Sequence, residues 1–233
     1  MKKVLLSTIA GMALLLGAEK SAFAGDGLGI GVTVAGTRIS ASGTETEGTA
    51  TAAGETNSTS VNNSLFLGSI FAEYTHGWLT VGVEHIPGDA SVSDLTHTRN
   101  DTETSVTSTT TETTTARTQT AAAKVDGHNT AYLEVGNAAY FKAGYVEMTV
   151  QTDESLGTGS TYGDVDLNGV LIGLGYKGDF GGGGGFYKIE GTYTDYDSLS
   201  ITSGTARTGV TNNNKVTADL DVSQLKLGLG YRF

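Results

Sequence analysis

The last nine residues, 225–233, read LKLGLGYRF, and this stretch decides the fold of the chain. Apolar side chains occupy every second position, and Lys, Gly or Arg stands between them. Alternation with a period of two predicts a β-strand with one apolar face. That face comprises Leu225, Leu227, Leu229, Tyr231 and Phe233. A strand that closes a barrel in lipid needs this pattern, with apolar side chains outward, small or polar ones inward and an aromatic residue at the membrane edge.

The N-terminus predicts export. A positive pair, Lys2 and Lys3, precedes a short apolar run, and the sequence AFA at 22–24 matches a small-residue cleavage motif. The apolar run is shorter than the roughly 20 residues that a membrane-spanning helix needs. We therefore expect a signal peptide over 1–24 and a single barrel domain over 25–233.

Composition narrows the class of protein. The whole chain carries a formal charge of −11, and because residues 1–24 contain three Lys and one Glu, the remainder carries −13. Such an acidic chain does not attract nucleic acid. The absence of Cys excludes disulfides, a lipoprotein anchor and thiol chemistry. A membrane protein without spanning helices must be a closed barrel, since only closure satisfies every backbone hydrogen-bonding group in hydrocarbon.

Eight stretches show the alternation expected of strands. They lie near residues 26–40, 64–75, 78–86, 125–135, 139–150, 164–177, 186–199 and 216–233. Four long connections alternate with three short ones, and the short turn before the seventh strand is predicted over 178–185. The sequence thus predicts an all-β protein, an eight-stranded antiparallel up-and-down transmembrane β-barrel with short periplasmic turns and long extracellular loops.

In pattern, topology and terminal strand, the chain resembles the small bacterial outer-membrane β-barrel superfamily, the opacity-protein-like and OmpA-transmembrane-like barrels. The resemblance covers residues 25–233 but includes no family-specific motif, so it indicates an architecture rather than an activity. It implies an integral protein of the Gram-negative outer membrane that is exported through the periplasm and contacts membrane lipid and lipopolysaccharide. It also implies that the terminal strand, ending on Phe233, is the signal recognised by the barrel assembly machinery.

The inward positions predict a lumen charge network. Its members are Glu84, Glu134, Lys142, Lys188, Glu190, Lys226 and Arg232. Charges enclosed in a narrow barrel must be paired, and eight strands leave room for side chains only, so we favour a closed core. The alternative is an open pathway through the lumen, along a seam of inward glycines that lack side chains to fill it. The other interpretation of this seam is that its glycines only permit the sharp curvature of a small barrel. The seam comprises Gly27, Gly29, Gly31, Gly228 and Gly230.

Three aspartates at the loop ends of strands six, seven and eight suggest a cation site. Pairing the strands from their turns places Asp166, Asp197 and Asp221 at one height on the outward face. Clustered carboxylates suit Ca²⁺ or Mg²⁺, which would bridge the protein to lipid phosphates. The alternative is a hydrated acidic rim without an ordered ion, and the sequence indicates no other cofactor.

The two longest connections, 41–63 and 87–123, are of low complexity, and Thr dominates residues 101–120. Thr favours extended chain but cannot bury enough apolar surface to fold by itself. We expect the inner parts of these loops to prolong the barrel as polar hairpins above the membrane. The loops serve either as a surface that binds or varies, or as solvated spacers.

Catalysis has little support in the sequence. The four histidines are His76, His85, His97 and His128, and none is predicted beside a Ser on an inward face, as nucleophilic catalysis requires. The favoured function is a non-enzymatic outer-membrane barrel with a structural and surface role. A narrow porin-like channel for ions or small solutes is the second hypothesis, and a lipid-modifying enzyme is the third.

Overall fold

The structure is a computed structural model. It describes residues 26–46, 56–88, 90–91, 97–101, 104–106, 111–113, 117–155, 161–181, 183–204 and 214–233. The predicted signal peptide and the centre of the first long loop lie outside these residues. No helix in the described ranges is long and apolar enough to cross a membrane.

The described residues form thirteen strands. They are β1 (Gly27–Thr46), β2 (Thr56–His76), β3 (Leu79–His85), β4 (Ala90–Ser91), β5 (His97–Asp101), β6 (Thr104–Val106), β7 (Thr111–Thr113), β8 (Arg117–Gly136), β9 (Ala139–Ser155), β10 (Val165–Phe180), β11 (Gly185–Tyr196), β12 (Leu199–Thr202) and β13 (Lys215–Arg232). The alternating burial of β1, β2, β3, β10, β11 and β13 follows from period-two alternation along the strand.

Eight of these strands close into a ring in the order β1-β2-β3-β8-β9-β10-β11-β13. The ring closes where β1 pairs antiparallel with β13, from Gly29 opposite Arg232 to Thr46 opposite Lys215. Short strands extend the wall, because β4 and β5 pair with β8, and β12 pairs with β13. The predicted eight-stranded antiparallel barrel is confirmed.

The turns at one end of the barrel, here called the turn end, are tight. Gly77 (φ 58°) and Gly181 (φ 75°) adopt left-handed backbone conformations that a side chain would disfavour. The turn predicted over 178–185 is shorter than expected, because β10 continues through Phe180. The opposite end, which carries the long connections, is here called the loop end.

Several strands run further toward the loop end than predicted. β1 continues to Thr46 and β2 begins at Thr56, so most of the first predicted loop is paired strand. β8 likewise begins at Arg117, inside the second predicted loop. Ser, Thr and Ala fill these extensions, and β-branched Thr in particular favours extended chain once a neighbouring strand satisfies its backbone.

In the half near the turn end, the outer surface is apolar. On β1 the outward side chains are Leu28, Ile30, Val32 and Val34, each about half exposed, and on β13 they are the five residues of the terminal pattern. Glycine, Thr, Glu and Lys occupy the inward positions between them. This half therefore has the inverted polarity expected of a barrel in lipid.

Toward the loop end the polarity reverses. Ser40 and Asp221 face outward on β1 and β13, whereas the inward positions become apolar. These inward residues form a cluster, here called the apolar layer: Ile39, Val146, Met148, Val150, Leu167, Leu171, Tyr196 and Leu220. The inner part of the first predicted loop does prolong the barrel as paired polar strand. The apolar layer is formed by residues of the predicted strands, and it gives this part of the barrel a core like that of a water-soluble protein.

Candidate functional site: the lumen of the barrel

Between the turn end and the apolar layer, charged side chains fill the lumen. They are Glu73, Glu84, Glu134, Glu190, Lys142, Lys177, Lys188, Lys226 and Arg232, here called the ion-pair layer, and each is at most 7% exposed. The structure brings together all seven residues of the predicted charge network and adds Glu73 and Lys177. Both have the inward parity of their strands, so the alternation itself could have identified them.

Glu134 lies at the centre of the ion-pair layer and is fully buried. Its carboxylate accepts hydrogen bonds from Lys188 and from Lys177, the latter at 3.2 Å. The Lys142 ammonium lies 3.9 Å from the same carboxylate. Glu134 therefore compensates three buried ammonium groups that have no access to water.

Two further carboxylates of the ion-pair layer, on β11 and β3, also pair with lysines. Glu190 accepts hydrogen bonds from Lys142 at 3.1 Å and from the Tyr140 hydroxyl at 2.6 Å. Glu84 accepts two from Lys226, both at 2.9 Å. Each carboxylate thus has a charged and hydrogen-bonded partner, which is the condition for burying it without a large penalty.

At the turn end, Glu73 extends the ion-pair layer. Its Oε2 accepts hydrogen bonds from Lys188 at 2.8 Å and from the Tyr132 hydroxyl at 3.0 Å. Arg232 lies 3.5 Å from the other oxygen, and its guanidinium stacks 4.7 Å from the centre of the Phe186 ring. The ion pairs therefore reach from the middle of the lumen to the last residues of β13.

Aromatic rings fill the space above the inward glycines. A Cβ on Gly31 would overlap the Phe71 ring, and a Cβ on Gly230 would lie 2.7 Å from an atom of the Phe186 ring. The two rings also contact each other edge to face, with centroids 6.1 Å apart. The glycine seam considered as an open pathway is therefore occupied, because small residues on one strand receive large side chains from another.

The same arrangement recurs around the ring. Tyr132 packs over Gly82, and Tyr140 packs over Gly175. Both hydroxyls donate to carboxylates of the ion-pair layer, to Glu73 and Glu190 respectively. The glycines thus place the aromatic rings so that the phenol groups reach the buried charges.

Above the ion-pair layer, the lumen is nearly filled. A cavity of about 40 Å³ remains beside the apolar layer, lined by residues that include His128, Thr37 and Gln224. The Nε2 atom of His128 lies 2.9 Å from the Tyr196 hydroxyl, and on the outer wall His85 Nδ1 lies 2.9 Å from Asn129 Oδ1. Neither hydrogen bond joins a His to a Ser or a carboxylate, the pairings that the enzyme hypothesis requires.

The three aspartates of the proposed cation site do not lie at one height. On β13, Asp221 is opposite Asp195 rather than Asp197. The Asp197 N–H donates to the carbonyl of Asn168, which is two residues beyond Asp166. The predicted alignment of these aspartates at one height is wrong, because the register follows the pairing of whole strands and not the distance of each residue from its turn.

Two of these carboxylates accept hydrogen bonds from single hydroxyl groups. Asp166 accepts a hydrogen bond from Thr149 at 2.8 Å, and Asp221 accepts one from the Tyr193 hydroxyl. Within the described ranges, no group of three or more His, Cys, Asp or Glu side chains has a geometry that could hold a metal ion.

At the turn end, the Asp26 carboxylate links the start of β1 to the turn between β2 and β3. Asp26 accepts a hydrogen bond from the Gly77 N–H at 2.7 Å and lies 2.8 Å from Nδ1 of His76. The Gly77 hydrogen bond and, to a smaller extent, the His76 ring hold the pKa of Asp26 below its ordinary value. Since the folded-state pKa is lowered, the stabilisation is present at neutral pH and is lost as the pH falls through that pKa.

We therefore expect the amide resonance of Gly77 to shift on acidification, with a midpoint below that of an ordinary aspartate. An NMR titration of the protein in detergent measures this shift, and Asp26→Asn should abolish it. A midpoint at the ordinary aspartate value would contradict the contact.

Comparison with known proteins adds information about the fold. No family model and no curated protein matches the sequence. Among solved structures, the outer membrane protein OprG from Pseudomonas aeruginosa is similar, with a TM-score of 0.54 and 14% identity over 91% of this chain and 100% of that one. Ail, the attachment invasion locus protein of Yersinia pestis, matches with a TM-score of 0.38 and 14% identity over 90% of this chain and 99% of that one.

Proposed function

We propose that this chain, which has the fold of the small outer-membrane β-barrels, is a non-enzymatic protein of the Gram-negative outer membrane with a closed lumen. Its role is to stabilise the envelope and to present acidic, Thr-rich loops at the cell surface. The filled lumen carries this proposal. The ion-pair layer, with the aromatic rings packed among its charges, and the apolar layer follow one another along the barrel axis.

The contacts of the ion-pair layer favour a barrel that does not conduct. A permeating ion would have to separate pairs such as Lys226 and Glu84, which are both buried and joined by two hydrogen bonds. Breaking a buried pair typically costs about 3–5 kcal/mol, because it leaves an uncompensated charge. Beyond this layer, the ion would meet apolar side chains that offer it no ligand.

The outer surface favours insertion in a membrane. The apolar side chains of the turn-end half are accompanied by exposed aromatic residues, namely Tyr74, Trp78, Phe180, Tyr231 and Phe233. Aromatic residues are enriched at membrane interfaces because their rings tolerate both hydrocarbon and headgroups. Membrane lipid and lipopolysaccharide are the partners that this surface suits, and the terminal strand is the segment that we assign to the assembly machinery.

Electrical recording tests the closed lumen. The refolded protein, residues 25–233, is added to a planar bilayer, and heat-dependent gel mobility confirms that it is folded. We expect no discrete conductance steps, because each layer of the lumen is filled by side chains.

The channel hypothesis makes the opposite prediction. Discrete steps whose size changes in Glu134→Gln or Lys226→Met would overturn the proposal and identify a pathway through the lumen. Glu147→Gln is the matched control, since Glu147 is an exposed carboxylate on the outer wall. Steps that respond equally to all three variants would indicate leakage around the protein, and only a silent bilayer supports the closed barrel.

A further inference from the structure

A short segment without strand structure, residues 161–164, lies at the loop end just before β10. Three hydrogen bonds fix its backbone. The Tyr162 N–H donates to the Glu154 carboxylate, the Tyr162 carbonyl accepts from the Thr152 hydroxyl at 3.1 Å, and the Thr161 carbonyl accepts from the Gly204 N–H at 3.0 Å. The segment is therefore attached to β9 on one side and to the chain after β12 on the other.

The side chain of Tyr162 reaches a third part of the rim. Its hydroxyl donates to Glu45 Oε1 at 3.2 Å, and Glu45 also accepts a hydrogen bond from the Asn214 side chain at 3.4 Å. Glu45 has inward parity on β1, and two strands, β11 and β13, separate β1 from β10 in the ring. The Tyr162 side chain must therefore extend across the mouth of the barrel to make this contact.

Further from the mouth, the inward positions of the same strands are apolar. Leu167 on β10 and Leu220 on β13 belong to the apolar layer, and Ala41 on β1 packs against it. The wall around them is polar on its outer side, so this part of the barrel stands in water. An apolar core in water must be covered at its open end, because exposed apolar surface is unfavourable.

We propose that residues 161–164 form a strap that closes the loop-end mouth, and that the hydrogen bond between Tyr162 and Glu45 holds the strap shut. When this bond is broken, the backbone of the strap stays attached, but the Tyr162 side chain swings away from the mouth and water reaches the apolar layer from the loop end. The mouth is thus closed by a device that is separate from the ion-pair layer. The strap requires neither a membrane nor the function proposed above.

Labelling of a single cysteine tests the strap, because the chain has no Cys of its own. Ala41→Cys places a thiol beneath the strap, and its reaction with a charged maleimide is followed in the folded protein. We expect slow labelling in the Ala41→Cys parent. Adding Tyr162→Ala should raise the labelling rate about 10-fold or more, because the whole side chain is removed. Adding Tyr162→Phe or Glu45→Gln should raise the rate several-fold, as expected for the loss or weakening of one hydrogen bond to a charged group.

Two controls separate opening of the strap from general loosening. Ser42→Cys places the thiol on the outer wall, where labelling should be fast with or without Tyr162→Ala. Tyr74→Phe removes a hydroxyl from the exposed outer surface and should leave the labelling of Ala41→Cys unchanged. If the Ala41→Cys parent and its Tyr162→Phe and Tyr162→Ala derivatives label at equal rates, in barrels that retain their heat-dependent gel mobility, the proposal is overturned.

Discussion

A Glu134→Ala variant is expected to have a free energy of unfolding about 3–5 kcal/mol lower than the parent protein. Glu134 is fully buried, and it faces Lys188, Lys177 and Lys142. Its removal leaves these three ammonium groups with too little negative charge, in a place that water does not reach. The penalty is therefore that of an uncompensated buried charge and not merely that of one lost contact.

Urea titration of the protein in lipid vesicles measures this effect. Trp78 is the only tryptophan of the chain, so its fluorescence reports unfolding without ambiguity. Glu147→Ala is the matched control, and for this exposed carboxylate we expect a change within about 0.5 kcal/mol. Adding Lys188→Met to Glu134→Ala should destabilise by less than the sum of the two single changes, because the pair is then removed together. A Glu134→Ala variant as stable as the Glu147→Ala control would show that water, rather than Glu134, compensates these lysines.

The second large effect is expected from Gly82→Ala, at about 1–3 kcal/mol of destabilisation. The new Cβ would overlap the Tyr132 ring, which is only 4% exposed. A displaced ring would weaken the hydrogen bond from Tyr132 to Glu73 and the contact with Lys142, whose Nζ lies 3.8 Å from the ring centre. One methyl group would thus disturb both packing and charge pairing.

A double-mutant cycle distinguishes this overlap from a general intolerance of side chains in the strand. Tyr132→Val destabilises on its own, but after Gly82→Ala it should do so by less, with a coupling of about 1 kcal/mol. Gly68→Ala is the control, since its Cβ would meet nothing nearer than the Thr33 carbonyl at 3.8 Å. Additive effects of Gly82→Ala and Tyr132→Val would contradict the packing of ring over glycine.

The period-two alternation predicted the barrel and the direction of most side chains. Leu225 to Phe233 alternate with small or charged residues, and a single register places all five apolar side chains outward. Glu134 and Lys142 could be placed inward because each stands between two outward apolar neighbours. Strand parity is a local property, so the sequence is sufficient to determine it.

Contacts between distant strands were beyond this reasoning. Nothing in the sequence around Gly31 indicates that the Phe71 ring fills its place, and nothing around Asp221 indicates that it pairs with Asp195 rather than Asp197. The cross-strand register depends on every turn and irregularity at once, such as the register shift between Asp126 and Asn129 on β8. The apolar layer was missed because members such as Ile39 and Leu167 lie at inward positions, which were expected to be small or charged, and nothing local marks where the polarity of the two faces reverses.

In the proposed membrane location, the reversal of polarity along the strands also determines how deeply the barrel sits in the bilayer. Moving the barrel by two residues toward the turn end would bring Ser223 of β13 and Glu147 of β9 into hydrocarbon, and charged side chains there are strongly unfavourable. Moving it by the same distance in the other direction would expose the apolar belt to water. A closed barrel cannot kink to absorb hydrophobic mismatch as a helix can, so mismatch is taken up by tilt of the whole barrel and by thinning or thickening of the lipids around the belt.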